Sequence, residues 1–175
     1  EIIERSEIRN MSVECDRVGG INLSQGVCDM PVPDVVKKAA QKAIDEGPNT
    51  YTRHDGIEAL RSAISGKMAA HNGIKADPET EIVVSAGATG AFYCACLALL
   101  NPGDEVLIFE PYYGYHVITL RAVEAVPVYV KLKPPLWTFD MAELDRAVTR
   151  KTKAIMINTP CNPSGKVFTA DELRQ

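Results

Sequence analysis

No stretch of this sequence is long and apolar enough for a membrane. The longest candidates, residues 91–100 and 106–109, stop well short of the ~20 residues a spanning helix needs. A basic excess is missing as well: 19 Lys and Arg against 23 Asp and Glu leave a formal charge of -4 and a pI near 5.4. With no Lys/Arg cluster and no basic helix face, a nucleic-acid surface is excluded. The five cysteines are odd in number, form no C-x-x-C pair and have no histidine at metal-ligand spacing, so neither a metal site nor a disulfide framework is indicated. They read as buried free thiols, with Cys94 and Cys96 in an apolar helical run, and point to a reducing, cytoplasmic compartment. The dinucleotide pattern GxGxxG is absent, and Gly165-Lys166 lacks the earlier glycine of a P-loop, which removes those nucleotide motifs.

What remains is the composition of a soluble globular protein, 46% hydrophobic and 24% charged over 175 residues. Residues 33–46 place Val35, Val36, Ala39, Ala40, Ala43 and Ile44 on one helical face, with Pro33 at the start and Gly47-Pro48 at the end. A second helix is expected from Asp55, whose D-x-x-E spacing to Glu58 resembles a cap, through Ile57, Leu60, Ile64 and Met68 to Asn72-Gly73. From residue 81 strands and helices alternate. Strands are expected over 82–84, 105–109, 126–130 and 154–158, and helices over 89–100, 115–122 and 141–148. Such alternation implies an α/β fold, a mainly parallel sheet flanked by helices. Thr169 and Glu172 have the spacing of a capping box, so a helix begins there. The sequence stops one turn later, at Gln175, and a single turn costs nucleation without propagation. The expectation is a piece of a longer chain.

Ligands of open parallel sheets bind beyond the carboxyl ends of the strands. Three loops in that position stand out. In Ser85-Ala86-Gly87-Ala88-Thr89-Gly90, small residues lead into an apolar helix; its amides, its dipole and the Thr89 hydroxyl suit an anion. Equally, Thr89 could serve as a helix cap and the glycines as a tight turn. Glu110-Pro111-Tyr112-Tyr113-Gly114-Tyr115 gathers three of the six tyrosines after a strand, where a ring could stack on a planar ligand or join the core. In Asn158-Thr159-Pro160-Cys161-Asn162-Pro163-Ser164-Gly165, two prolines push Thr159 and Asn162 toward extended backbone, where the Asn162 amide offers a donor and an acceptor.

The third loop resembles the N-x-P-x-N-P-[ST]-G signature of the class I/II aminotransferases, enzymes of the aspartate-aminotransferase fold. The likeness runs from about Ile21 to the end and includes Ser24-Gln25-Gly26, Asn49-Thr50-Tyr51, Asp55-Gly56, Leu60-Arg61, Gly87-Ala88-Thr89, Asn101-Pro102-Gly103-Asp104 and Pro111-Tyr112-Tyr113. Tyr113 stands where many relatives carry Trp or Phe, and Cys161 where Asn is frequent.

The resemblance implies an N-terminal arm and small-domain segment over residues 1–47 and the first, incomplete part of a large domain binding pyridoxal phosphate over 48–175. It implies that Ala88 and Thr89 bind the cofactor phosphate, Tyr113 stacks on the pyridine ring, and Asn162 meets the phenolic oxygen and the substrate. Gly26 would lie against the substrate carboxylate, and Tyr51 would reach the phosphate of the neighbouring subunit in a homodimer with shared active sites. The Schiff-base lysine is expected beyond Gln175, so no catalytic residue is assigned here, and Lys166 is expected to be a solvated surface lysine. The implied activity is amino-group transfer between an amino acid and a 2-oxo acid. A lyase of the same fold and a regulatory pyridoxal-phosphate domain are the alternatives. Glu110-Pro111 and Asn162-Pro163 are expected to be cis by the same resemblance.

Overall fold

A computed structural model describes residues 7–26, 28–47 and 49–175. Within it, Glu7–Ser85 and Ala86–Gln175 form separate compact units.

The first unit is helical. It contains α1 (Glu7–Arg17), α2 (Asp34–Glu46) and α3 (Glu58–Lys67), the last continued by a π-helical turn, Met68–Asn72. α1 is not among the helices expected above, although Ile8, Met11 and Cys15 repeat at helical spacing. α2 is the helix expected from its apolar face, and Gly47 ends it in an extended conformation; Pro48 lies outside the described residues. Gly73 closes the π-helical turn at φ +67°, a left-handed position that glycine adopts at little cost.

Asp55 is not the cap of α3. The helix begins at Glu58 behind Ile57, with no side-chain cap, and the Asp55 carboxylate takes both Arg53 Nε (3.0 Å) and Nη2 (2.6 Å) instead. An aspartate with a guanidinium two residues away satisfies its oxygens better there than on two amides. The strand expected over 82–84 is also absent. Val84 donates one backbone bond, to Asp55 O at 2.9 Å, and no neighbouring strand among the described residues offers the segment a ladder. Its apolar residues set its character, but a strand exists only where a partner pairs with it.

The second unit is α/β. Chain order runs α4 (Gly87–Leu99), β1 (Glu105–Glu110), α5 (Gly114–Ala122), β2 (Val126–Lys131), α6 (Met141–Ala147), β3 (Thr152–Met156) and α7 (Ala170–Arg174). All strand pairs are parallel, in the order β2-β1-β3. β1 is central, and its side chains divide by period two between the sheet's faces. Val106 and Ile108 pack with Cys96, Val117, Leu120 and Val123 under α4 and α5. Leu107 and Phe109 pack with Val130, Leu132 and Phe168 on the α6 side. Burial on both faces explains the unbroken apolar run of β1.

Two expectations about side chains need correction. Cys96 and Cys161 are buried, but Cys28 and Cys94 are exposed. At 100° per residue Cys94 and Cys96 stand 200° apart on α4, so only one can face the sheet; Cys28 belongs to the irregular segment before α2. Nor is Lys166 a solvated lysine. Its side chain is 9% exposed, its ammonium lies 2.6 Å from Glu172, and it sits over the Phe168 ring. Glu172 also closes the expected capping box with Thr169. The Lys166 ammonium first, and then the Thr169 amide, hold the Glu172 carboxyl below the usual carboxylate range.

Candidate functional site

Parallel pairing fixes where the loops emerge. β1 and β3 run the same way, so the loop after Glu110, carrying Tyr113, and the loop after Met156, carrying Asn162, leave from one edge of the sheet. α4 precedes β1 and joins it through a tight turn in which Asn101 N bonds Asp104 Oδ2 at 2.8 Å. A 13-residue helix rises about 20 Å, close to the length of a six-residue strand. α4 lies on β1 through Cys96, so its amino end stands level with the carboxyl end of the strand.

Ring contacts tie the three pieces together. Phe92, one turn beyond Thr89, meets His116 edge-on at 5.2 Å between centroids, and His116 meets Tyr113 edge-on at 5.3 Å. Tyr115 leans on Tyr113 from another side at 5.3 Å. Tyr113 is the N-cap residue of α5 and is half-buried, whereas Tyr112 turns toward the core and stacks on Tyr129. The third loop joins the second where Cys161 Sγ approaches Pro111 O at 3.5 Å. Its own turn is closed by Gly165 N to Cys161 O (2.7 Å), Cys161 N to Lys166 O (2.8 Å) and Phe168 N to Thr159 Oγ1 (3.1 Å). Gly165 supplies the positive φ, +70°, that the turn requires. The peptide bonds before Pro111 and Pro163 are cis, as the resemblance implied; those before Pro135 and Pro160 are cis as well.

Thr89 does not cap its helix. α4 starts at Gly87 behind Ala86, which has no side-chain oxygen to offer, and Thr89 is already in the first turn. Ala88 and Thr89 are exposed, and the Thr89 hydroxyl takes no hydrogen bond among the described residues. Asn162 is likewise exposed, and its side-chain amide has no partner among them. A helix amino end with a hydroxyl suits a phosphate, a braced aromatic ring suits a planar heterocycle, and an amide suits its phenolic oxygen. The donor set therefore fits the cofactor implied above.

His116 and Phe92 are the residues that sequence reasoning missed. His116 follows Tyr113 by one helical turn, and its backbone N–H bonds Tyr113 O at 3.0 Å, so that i+3 spacing was the available signal. Burial lowers the His116 pKa from its ordinary value, and the neutral imidazole is the packed form. As pH falls below about 6.5 the unfolded chain takes up the proton first, so the stability of this packing is lost toward acid.

Gly26 and Tyr51 belong to the first unit. A Cβ added at Gly26 would meet nothing within 4 Å, and the Tyr51 side chain stands wholly in solvent. A cavity of about 200 Å³ between α4 and β3, lined by Phe92, Cys96, Leu99, Ile155 and Lys153, is almost wholly apolar and lies apart from these loops' polar groups.

Residues 18–175 match the family described as aminotransferase class I and II. The chain belongs to that family. Its relatives include the "Probable N-succinyldiaminopimelate aminotransferase DapC" of Mycobacterium tuberculosis, 42% identical over 93% of this chain and 42% of the relative. The aspartate aminotransferase of Sulfurisphaera tokodaii is 37% identical over 89% of this chain and 39% of its own. The solved N-succinyldiaminopimelate aminotransferase of Mycobacterium tuberculosis superposes with a TM-score of 0.89 at 40% identity, covering 97% of this chain and 44% of that one. This aminotransferase-family chain thus spans less than half the length of the curated relatives it matches. Members of the family use pyridoxal phosphate, and the fold described above is theirs.

Proposed function

We propose that the full-length protein is a pyridoxal-phosphate-dependent aminotransferase that moves an amino group between an amino acid and a 2-oxo acid. The observation that carries this reading is the gathering of α4's amino end, Tyr113 and Asn162 at one sheet edge in a chain of this family. When bound, pyridoxal phosphate supplies the electron sink for bond cleavage at the substrate's α-carbon. The polypeptide supplies position and charge. The amides of Ala88 and Thr89 and the Thr89 hydroxyl hold the phosphate, Tyr113 supports the ring face, and Asn162 donates to the phenolic oxygen beside the substrate. Gly26 presents its backbone to the substrate carboxylate, and Tyr51 reaches the phosphate held by a second subunit of a homodimer. The Schiff-base lysine is assigned to no residue of this chain; Lys166, the lysine that follows the signature loop, is committed to Glu172.

In the whole protein we assign residues 1–47 to an N-terminal arm and small domain, and 48–175 to the first part of the large domain. Five free cysteines agree with a cytoplasmic setting, and among the described residues no helix is long and apolar enough to cross a membrane. The relatives reported above are named for different substrates, so the donor side chain is left open.

The test is to give the full-length protein single amino acids without an acceptor and follow the cofactor's absorbance. Stoichiometric conversion to the pyridoxamine form, reversed by a 2-oxo acid, is expected. Catalytic ammonia release with pyridoxal phosphate retained would make it a lyase, and binding without conversion would make it a regulator.

A further inference from the structure

We propose that Arg53, Asp55, Arg61 and Glu79 form a positioning cluster that aims Tyr51. This rests on the reading that Tyr51 reaches a neighbouring subunit's phosphate. The Tyr51 side chain is 102% exposed and packs on nothing described in its own chain, so its direction is set only by the backbone that carries it. That backbone is held unusually firmly just beyond it. Arg53, two residues on, grips Asp55 with two donors, at 3.0 and 2.6 Å, and Glu79 with a third at 2.8 Å. Arg61 is fully buried beneath them. It donates to Gly56 O (3.1 Å), to Pro78 O and to Glu79 Oε1 (3.1 Å), and its Nη1 lies 3.6 Å from Asp55 Oδ2. Backbone bonds from Gly56 N to Arg53 O (3.1 Å) and from Val84 N to Asp55 O (2.9 Å) complete the clamp.

Gly56 shows how little slack the turn has. Its φ is +105°, and a Cβ there would stand 2.6 Å from a Val84 methyl. Two guanidinium groups and two carboxylates therefore converge on the turn Arg53–Gly56, which begins two residues after an otherwise unsupported phenol. Planar guanidinium forks fix direction as well as charge, which is what presenting a donor to a phosphate on another subunit demands. Stability alone would be served equally well by any residue at position 51, ahead of the turn.

The experiment is a double-mutant cycle in the full-length holoenzyme, read as the pyridoxal-phosphate dissociation constant. Arg53→Gln is chosen over a change at Arg61 because the Arg53 side chain is half exposed whereas that of Arg61 is fully buried, so the loss of Arg53 disturbs the fold less. Tyr51→Phe is expected to weaken cofactor binding by about tenfold to a hundredfold, as loss of a hydrogen bond to a charged group does. Arg53→Gln alone is expected to weaken it by about fivefold, and the double variant to bind within about twofold of Tyr51→Phe, because a cluster that acts through Tyr51 has nothing left to aim. Arg53→Gln at wild-type affinity, or multiplication of the two effects in the double variant, overturns the positioning role and leaves the Tyr51 reading standing. Unchanged affinity in Tyr51→Phe overturns both.

Discussion

Replacing Arg61 by Met is expected to destabilise the protein by about 2–6 kcal/mol, about 1–3 kcal/mol for each of the two carbonyls left without its donor. The Arg61 side chain is fully buried and spends every one of its guanidinium nitrogens on separate partners, two of them backbone carbonyls. Methionine fills much of the same volume but leaves Gly56 O and Pro78 O without that donor. Glu79 is half exposed and can turn to water, while Asp55 keeps Arg53, so the loss concentrates on the carbonyls and on packing. Arg61→Lys is expected to recover only a minor part, since one ammonium cannot reach Gly56, Pro78 and Glu79 together. Denaturant unfolding of the full-length enzyme measures both variants; a Lys variant as stable as wild type would mean that charge, and not the fork, is what the turn needs.

Ala88→Glu is expected to separate stability from cofactor binding. A carboxylate in the first turn of α4 sits at the positive end of the helix dipole and should leave the apoenzyme as stable as before, or about 0.3–1 kcal/mol more stable. The same carboxylate would stand where the cofactor phosphate is proposed to bind. Like unit charges about 4 Å apart near a protein surface repel by about 4 kcal/mol, and the phosphate carries more than one charge. Affinity for pyridoxal phosphate should therefore fall by more than about a hundredfold. Unfolding of the apoenzyme and cofactor titration by absorbance give the two numbers. Wild-type affinity in this variant would place the phosphate away from Ala88 and Thr89.

Much of the second unit was legible because its signals are local or follow from topology. Residues 105–109 read as a strand, the alternation from residue 81 as an α/β fold, and Thr169 with Glu172 as a capping box. Parallel strands then require the loops carrying Tyr113 and Asn162 to share an edge. What escaped depends on partners that sequence spacing does not name. Residues 82–84 have the residues of a strand, but a ladder is made by another segment. Asp55 matches a capping pattern and also matches a guanidinium two residues away; only the competing geometries decide between them. Lys166 reads as solvated because its partner, Glu172, reaches it from the next helix. The contact of His116 with Phe92 joins α5 to α4, and no helical or strand period relates those two elements.

The most direct test of the reading is a crystal structure of the full-length protein with pyridoxal phosphate. The phosphate should lie at the amino end of α4 within hydrogen-bond distance of Thr89, with Tyr113 against the pyridine ring and the Asn162 amide at its phenolic oxygen. A phosphate held anywhere else, with Thr89 and Asn162 facing only water, would contradict it.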